Sequence, residues 1–490
     1  MGSAGETFNV AINPTGSKTL LDSETFAPNH IELRNGIKTD AGFWKGRPGY
    51  TSEWNLGVAR SIPLLIPFRR TATNGLGFAV TSNGAVYELL SSQAKQLYSG
   101  PLVNGTFRPT WAAFDGIPII CSGQEIIKIR VDQAAGNNNT EILGGSPPAA
   151  KFISVLADRV IVSGQNDTQF NWSGAGNSED WPAANFSNVT GHGERIRYQS
   201  VKGTELYFFK DFSIEVWSHI GGIEVFGRSG IIPLMDKFSK ERGLVGFSVV
   251  LAGDPPQYFF YADGDFWVLS WTTPKRISLP YKREIGNLAS VENLYGYDFS
   301  KEHVIRWFEP ASGRCFVYDY RNDNFTEDNA YRNGAWERLP LRSYMEMQDR
   351  QFIGDYDPTG TIYEWDDDIY SDNGSNIRMQ RRLRVILDQK KNHACRFNRL
   401  RLRFERVLGV IGTAPSIQVR WAFDGSDFTT YQSASTGEGT VTVGESGSYN
   451  PYVDIYNLGV GKEVLLEIIQ YAPVRHSMTG LQVTARPLGR

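Results

Sequence analysis

At 490 residues, with 41% hydrophobic and 21% charged residues, the chain is long enough for more than one core and too apolar for a disordered tail. A net charge of −3 excludes the basic footprint of a general nucleic-acid binder. An aromatic content of 13% beside 50 glycines favours an all-β protein, because aromatic side chains suit pleated surfaces and glycine suits the tight turns between short strands.

In chain order, the first residues, Met1–Asn9, carry neither the basic nor the apolar segment of a secretory signal. No stretch approaches the ~20 apolar residues of a membrane helix, so no membrane insertion is expected. The cysteines, Cys121, Cys315 and Cys395, are odd in number and far apart, which argues against a disulfide framework and for assembly in a reducing cytoplasm. Residues 1–56 are rich in Gly, Asn and Pro with weak periodicity, and read as an extended N-terminal arm that enters the next domain through Arg47-Pro48-Gly49.

Residues 57–372 repeat strand, turn, strand. Hairpin signals fall at Asn83-Gly84, Asp115-Gly116, Ser122-Gly123, Ala157-Asp158, Lys202-Gly203, Asp263-Gly264, Ser312-Gly313 and Pro358-Thr359-Gly360. The units start roughly 35–55 residues apart, which brackets the ~40–50-residue spacing of propeller blades. A four-stranded blade exposes two apolar faces, and stacking around a ring buries both, so the expected fold is a six- or seven-bladed β-propeller. A pair of β-sandwiches built from similar hairpins is the alternative.

A boundary is expected near Asp372-Asn373-Gly374-Ser375, where a protease should separate two folded units. Beyond it, residues 373–490 turn basic while the preceding part is acidic, which favours a separate C-terminal β-sandwich-like domain. In Arg399-Leu400-Arg401-Leu402-Arg403-Phe404 the alternation is strict, so the leucines and Phe404 face a core and the arginines face out. With Arg381, Arg382 and Arg384 upstream, Arg399, Arg401 and Arg403 are the candidate partner-contact residues. Contact with an acidic partner surface and contact with DNA phosphates are both open to such a face.

Catalytic patterns are lacking. The histidines His30, His192, His219, His303, His393 and His476 have no metal-ligand spacing, so no metal and no cofactor is expected. Gly459-Val460-Gly461-Lys462 lacks the first Gly of a phosphate loop and is followed by Glu463 and strand-like residues. The run Asp366-Asp367-Asp368 does not keep a calcium-loop rhythm and reads as a solvated linker. Trp421–Phe428 resembles an Asp-box turn, in which the Asp ties backbone and does no chemistry.

A collinear series of segments resembles one family, the packaged-DNA stabilisation or tail nozzle proteins of short-tailed phages (podoviruses). It comprises Arg47-Pro48-Gly49-Tyr50 with Gly57-Val58-Ala59-Arg60, then Phe170-Asn171-Trp172-Ser173 through Asp180-Trp181 to Asn185-Phe186. Next come Phe212-Ser213-Ile214-Glu215-Val216-Trp217 with Phe226 and Glu241-Arg242-Gly243-Leu244, and Gly354-Asp355 with Gly360 and Ile362-Tyr363. Pro415, Asp424-Gly425, Leu458-Gly459, Ala472-Pro473-Val474 and Thr479-Gly480 close the series. It departs from the family pattern at Val460-Gly461-Lys462, where an Arg usually follows Leu-Gly, and at Phe428, where Trp is common.

The resemblance implies a non-enzymatic virion tail protein assembled in the host cytoplasm. It implies a hexameric ring of this chain below the portal and its adaptor ring, extending the DNA conduit and helping to retain packaged DNA. Tailspikes or fibres and a plug or needle would attach, and double-stranded DNA would pass without specific binding. A glycan-binding or glycan-cleaving propeller of the phage tail is the alternative, with Trp172, Trp181 and Trp217 as stacking candidates.

Overall fold

The computed structural model describes residues 6–10, 29–38, 44–68, 75–91, 93–99, 108–130, 139–164, 167–190, 194–222, 225–234, 243–278, 285, 288, 290–386, 394–404, 408–409, 416–428, 441–442, 452–475 and 477–488. Regular structure among them is nearly all strand.

The hairpins form where the sequence places them. Asp115 and Gly116 have φ of 48° and 70°, Ala157 and Asp158 of 50° and 56°, and Asp263 and Gly264 of 50° and 77°. Positive φ at both central residues makes the turn whose twist matches that of the flanking strands.

The hairpins build seven four-stranded antiparallel blades among the described residues, five as separate sheets and two as parts of larger ones. Blade 1 runs from inner strand Leu64–Ile66 to outer strand Ala94–Tyr98, blade 2 from Thr110–Phe114 to Asn139–Ile142, and blade 3 from Phe152–Leu156 to Phe186–Asn188. Blade 4 runs from Ile196–Lys202 to Phe226–Pro233, blade 5 from Val250–Ala252 to Thr273–Arg276, and blade 6 from Tyr295–Phe299 to Asn324–Asp328.

The side-chain period of two explains why blades stack. In the second strand of blade 4, Glu205–Lys210, Leu206 and Phe208 join a core with blade 3, while Tyr207 and Phe209 join one with blade 5. Both faces are buried, so the strand reads as a continuous apolar run. The same sharing recurs around the ring. Phe266 of blade 5 stacks on Trp307 of blade 6 at 4.2 Å, and Leu65 and Tyr87 of blade 1 pack with Phe352 and Met345 of blade 7.

Blade 7 closes the ring with strands from both ends of the propeller. Its first three strands are Ser343–Met347, Arg350–Gly354 and Thr361–Asp366, and its outer strand is Gly49–Asn55. Ile362 lies opposite Trp54, and Trp365 opposite Tyr50. The propeller therefore begins before residue 57, and the described strands of residues 1–56 do not form the separate arm expected of them. Asn29–Arg34 pairs with Arg378–Ile386, and Glu6–Val10 pairs with Ser477–Pro487, both in the C-terminal domain. These strands are short, and their partners lie hundreds of residues away, so local periodicity carries little trace of them.

The C-terminal domain is a sandwich. One sheet holds Arg378–Ile386, Glu463–Tyr471 and Ser416–Phe423, and the other holds Cys395–Phe404, Tyr452–Gly461 and Ser477–Pro487. Leu400, Leu402, Phe404, Val419, Trp421, Leu466 and Val483 fill the space between them. The first sheet is continuous with blade 6, since Arg34 pairs in parallel with Glu327 of that blade's outer strand. One nine-stranded sheet thus spans propeller and sandwich.

Candidate functional site

The place where the two domains meet is ionic and buried. Arg47 donates to Asp372 through Nη1 at 2.9 Å and Nη2 at 2.6 Å, to Asn35 Oδ1 at 3.0 Å, and to the carbonyls of Pro48 and Asn329. Both members of the pair are buried, and a bidentate guanidinium–carboxylate bond is the geometry that best offsets the cost of removing two charges from water. Asn35, with φ of 57°, also bonds the backbone of Asn329 and Arg378, so one side chain ties blade 6 to the sandwich. Asp372 therefore does not lie in an open linker. The acidic run before it is likewise tied down, with Lys45 on Asp367 at 2.6 Å and Asp366 accepting from the Asp368 backbone.

A second buried cluster adjoins the first. Arg306 bonds Asp328 at 2.9 Å and Glu302 at 2.6 Å, while Trp365 donates to Glu302 at 2.8 Å. The Trp365 ring has Arg47 at 5.3 Å and Arg306 at 4.8 Å from its centroid. In blade 4, Lys210 and Glu215 form a third buried pair at 2.7 Å, with the Trp217 indole donating to Glu215.

Side chains from inner strands meet across the ring. Arg108, on the entry to blade 2, lies 4.5 Å from the Tyr297 centroid, 5.1 Å from Tyr295 and 5.4 Å from Phe247. Blades 2 and 6 are not neighbours, so this contact crosses the ring. Phe152, Tyr198 and Tyr344 of other inner strands join the same chain of aromatic contacts. Burial pushes the Arg108 guanidinium down to about 10. Half-buried rings and a guanidinium thus reach across the ring at this level.

Near by, burial pushes the Asp298 carboxyl up to about 7, against a hydrogen bond from Tyr320 and with Glu346 adding to the rise. An acid whose folded value exceeds its unfolded value is most favourable to folding below the unfolded value, and its contribution is lost as pH rises from about 4 to 7. Asp298→Asn is therefore expected to gain roughly 1–3 kcal/mol over wild type at pH 8 and little at pH 4, after discounting for partial exposure. Urea unfolding of both proteins at the two pH values checks this. An equal difference at both would refute it.

The six arginines proposed for partner contact separate into different environments. Arg381 is turned inward, 4% exposed, and donates to the Trp44 carbonyl at 2.8 Å. As a partner-contact residue it is corrected: strand alternation puts it on the core row with Met379, Leu383 and Val385, opposite in parity to Arg382 and Arg384. Arg382 bonds Glu467 at 2.7 Å and Arg384 bonds Glu463 at 2.9 Å, both on the neighbouring strand.

Arg399, Arg401 and Arg403 share the outer face of the second sheet. Arg401 is held bidentately by Asp454 at 2.7 Å and lies over the Tyr452 ring, and Arg399 is 3.9 Å from Asp454. Arg403 is exposed, as are Arg396 and Arg486, which lie opposite each other in register. Exposed Tyr452 and Tyr456, on the strand next to these arginines, make the face aromatic as well as basic.

Sequence reasoning missed those tyrosines and also Trp271. That indole is 87% exposed, at a turn position with φ of 59° between the last two strands of blade 5. Its signal was a bulky residue in a hairpin tip, where small polar residues are usual. Among the proposed stacking residues, Trp172 and Trp217 are buried with Phe170 and Phe226, and Trp181 is partly buried with its indole bonded to the Ser178 carbonyl. Among the described residues no cluster of three or more His, Cys, Asp or Glu is placed to hold a metal. Asp424 accepts from the backbone of Lys462 and Glu463, so the Asp-box-like turn and the glycine segment secure each other.

Several segments of the resemblance series meet in space. Gly360 donates to the Arg60 carbonyl and accepts from Leu56, and a Cβ at Gly360 would approach the Val58 carbonyl oxygen within 2.2 Å. With φ of 67°, that position favours glycine on both counts. Asp355 accepts from Asp357, Thr359 and Tyr363 in the same turn. These motif residues serve ring closure.

The sequence matches no protein-family profile and no curated protein. Among solved structures, the chain is similar to a catalytically inactive virginiamycin B lyase from Staphylococcus aureus with quinupristin. Identity is 10%, coverage 64% of this chain and 97% of that chain, and TM-score 0.44. The Neurospora crassa Pan2 WD40 domain matches at 8% identity, over 67% and 97% of the two chains, with a TM-score of 0.40. YCF48 bound to D1 peptide matches at 11% identity, over 68% and 97%, with a TM-score of 0.41. Likenesses at this level carry no argument about ligand or activity.

Proposed function

We propose that this chain is a structural tail nozzle subunit of a short-tailed phage, without enzymatic activity, that assembles as a ring below the portal and adaptor. The observation that carries the reading is the junction. Segments of the family-like series, Arg47-Pro48-Gly49-Tyr50 among them, supply the buried pair with Asp372 and the closing strand of blade 7. A propeller locked in this way to a sandwich by a shared sheet suits a part that bears load during DNA retention and ejection. Because Arg108 reaches across the propeller to Tyr297, the conduit would lie between copies of the chain and not along one propeller. A wall that pairs weakly with phosphates lets DNA slide, whereas many phosphate contacts would hold it in a strongly salt-dependent way.

Tailspikes or fibres and a plug or needle would dock on exposed surfaces, and the arginine–tyrosine face of the sandwich is the first choice for an acidic partner. Burial of Trp172 and Trp217 weakens the case for a glycan-binding or glycan-cleaving propeller. Mixing the protein with a portal–adaptor complex should give a stacked assembly visible by electron microscopy. Failure to join that complex, together with absence from purified tails, would sink the proposal.

Replacing Arg396, Arg403 and Arg486 with Ser should leave the unfolding free energy within ~1 kcal/mol of wild type, since exposed positions cost little. Incorporation into tails should fall several-fold. Normal incorporation with leakage of DNA would assign the face to the conduit instead.

A further inference from the structure

The sandwich strands Cys395–Phe404, Tyr452–Gly461 and Ser477–Pro487 together hold five arginines and one acidic residue, Asp454. Across their outer face Tyr452 lies opposite Arg403, Tyr456 opposite Arg399, and Val460 opposite Arg396, which in turn faces Arg486. Both tyrosines and Val460 are exposed, so the face is apolar as well as basic. Tyrosine and arginine are the residues enriched at the centres of protein interfaces.

A surface of the opposite sign lies on the rim of blades 2 and 3. Residues 110–188 hold eight acidic residues against four basic ones, a net of −4. The long loop after Gln169–Trp172 folds over blade 2, where Glu179 bonds Lys128 and the Gly144 amide, and Trp181 packs against the core that holds Leu143. That loop carries exposed Pro182, Ala183 and Ala184 and leads to exposed Phe186, while Ile142 is exposed on the blade it covers. Asp158 and Asp180 are exposed beside it, and their carbonyls accept from the amides of Gly176 and Gly174 in the same loop. The sandwich is joined to blade 6 by the shared sheet, and in a ring of seven the blades farthest from blade 6 are 2 and 3.

We propose that the arginine–tyrosine face of one copy docks on the blade 2–3 rim of the next, head to tail, so that one repeated interface closes the ring. The inference rests on the ring assembly proposed above, and it names the acidic partner of that face as a second copy of this chain. A head-to-tail ring needs two different patches that fit each other, one on each side of the subunit. Here the patches lie on opposite sides, carry opposite charge, and both expose apolar groups that docking would remove from water.

The test uses the full chain, in solution at high concentration and on the portal–adaptor complex. Arg396→Glu with Arg403→Glu reverses one patch, and Asp158→Lys with Asp180→Lys reverses the other. Each double variant alone should associate with itself roughly tenfold more weakly than wild type in sedimentation experiments. Mixed in equal amounts, the two should associate again, since a reversed face then meets a reversed rim in alternating copies. That recovery would also show both variants to be folded. A benzophenone amino acid in place of Tyr456 should cross-link within residues 139–188 of another copy. Wild-type assemblies cross-linked elsewhere, double variants that associate as wild type does, or a loss without recovery on mixing would overturn the interface and leave the ring standing. A wild-type chain that stays monomeric under both conditions would overturn the ring itself.

Discussion

Glu215→Ala is expected to lower the unfolding free energy by about 3–5 kcal/mol, which is a large part of the stability of an ordinary domain. The variant leaves the Lys210 ammonium buried without the carboxylate it bonds at 2.7 Å, and removes the acceptor of the Trp217 indole. The double replacement Lys210→Met with Glu215→Leu should recover most of the loss, because an apolar pair of similar volume avoids desolvating two charges. Urea unfolding of the two variants measures both effects. A single variant within 1 kcal/mol of wild type would show that the pair is not as isolated from water as its burial indicates.

The second large effect is expected at the junction. In wild type the segment 373–376 is expected to resist protease, although it falls where the charge balance of the sequence changes sign. Asp372 is held by Arg47, and both flanking strands are paired. Arg47→Met removes the guanidinium from Asp372 and from Asn35 at once, and should cost about 3–5 kcal/mol locally. The propeller and sandwich retain their own cores, so the cost should appear as local opening and not as global unfolding. Limited proteolysis followed by mass spectrometry should find cleavage between Tyr370 and Arg378 in the variant, at least tenfold faster than in wild type. If the variant resists as well as wild type, the shared sheet alone holds the junction. If wild type is cut readily there, the two domains are joined by a true linker.

The origin of each feature differs in range. The hairpins at Asp115-Gly116, Ala157-Asp158 and Asp263-Gly264 were legible in the sequence because a turn with two positive φ angles is specified by its own two residues. The blade architecture followed from their spacing, and the apolar row Leu400, Leu402 and Phe404 from strict alternation. Parity also held the signal that Arg381 belongs with Met379 and Leu383, but a run of arginines invites reading as one exposed group. Other features had no local signature. That Gly49–Asn55 closes blade 7, that Asn29–Arg34 enters the sandwich, and that Arg47 finds Asp372 depend on pairings across some 300 residues. A short strand exposes no periodicity of its own, and its register is set by the partner edge it meets. The sequence by itself therefore determined the blades and the alternating faces, because those rest on dihedral preference and period. Only the tertiary structure decided the closure, the buried ionic junction and the inward turn of Arg381, because burial of a charge depends on what surrounds it and not on its neighbours in the chain.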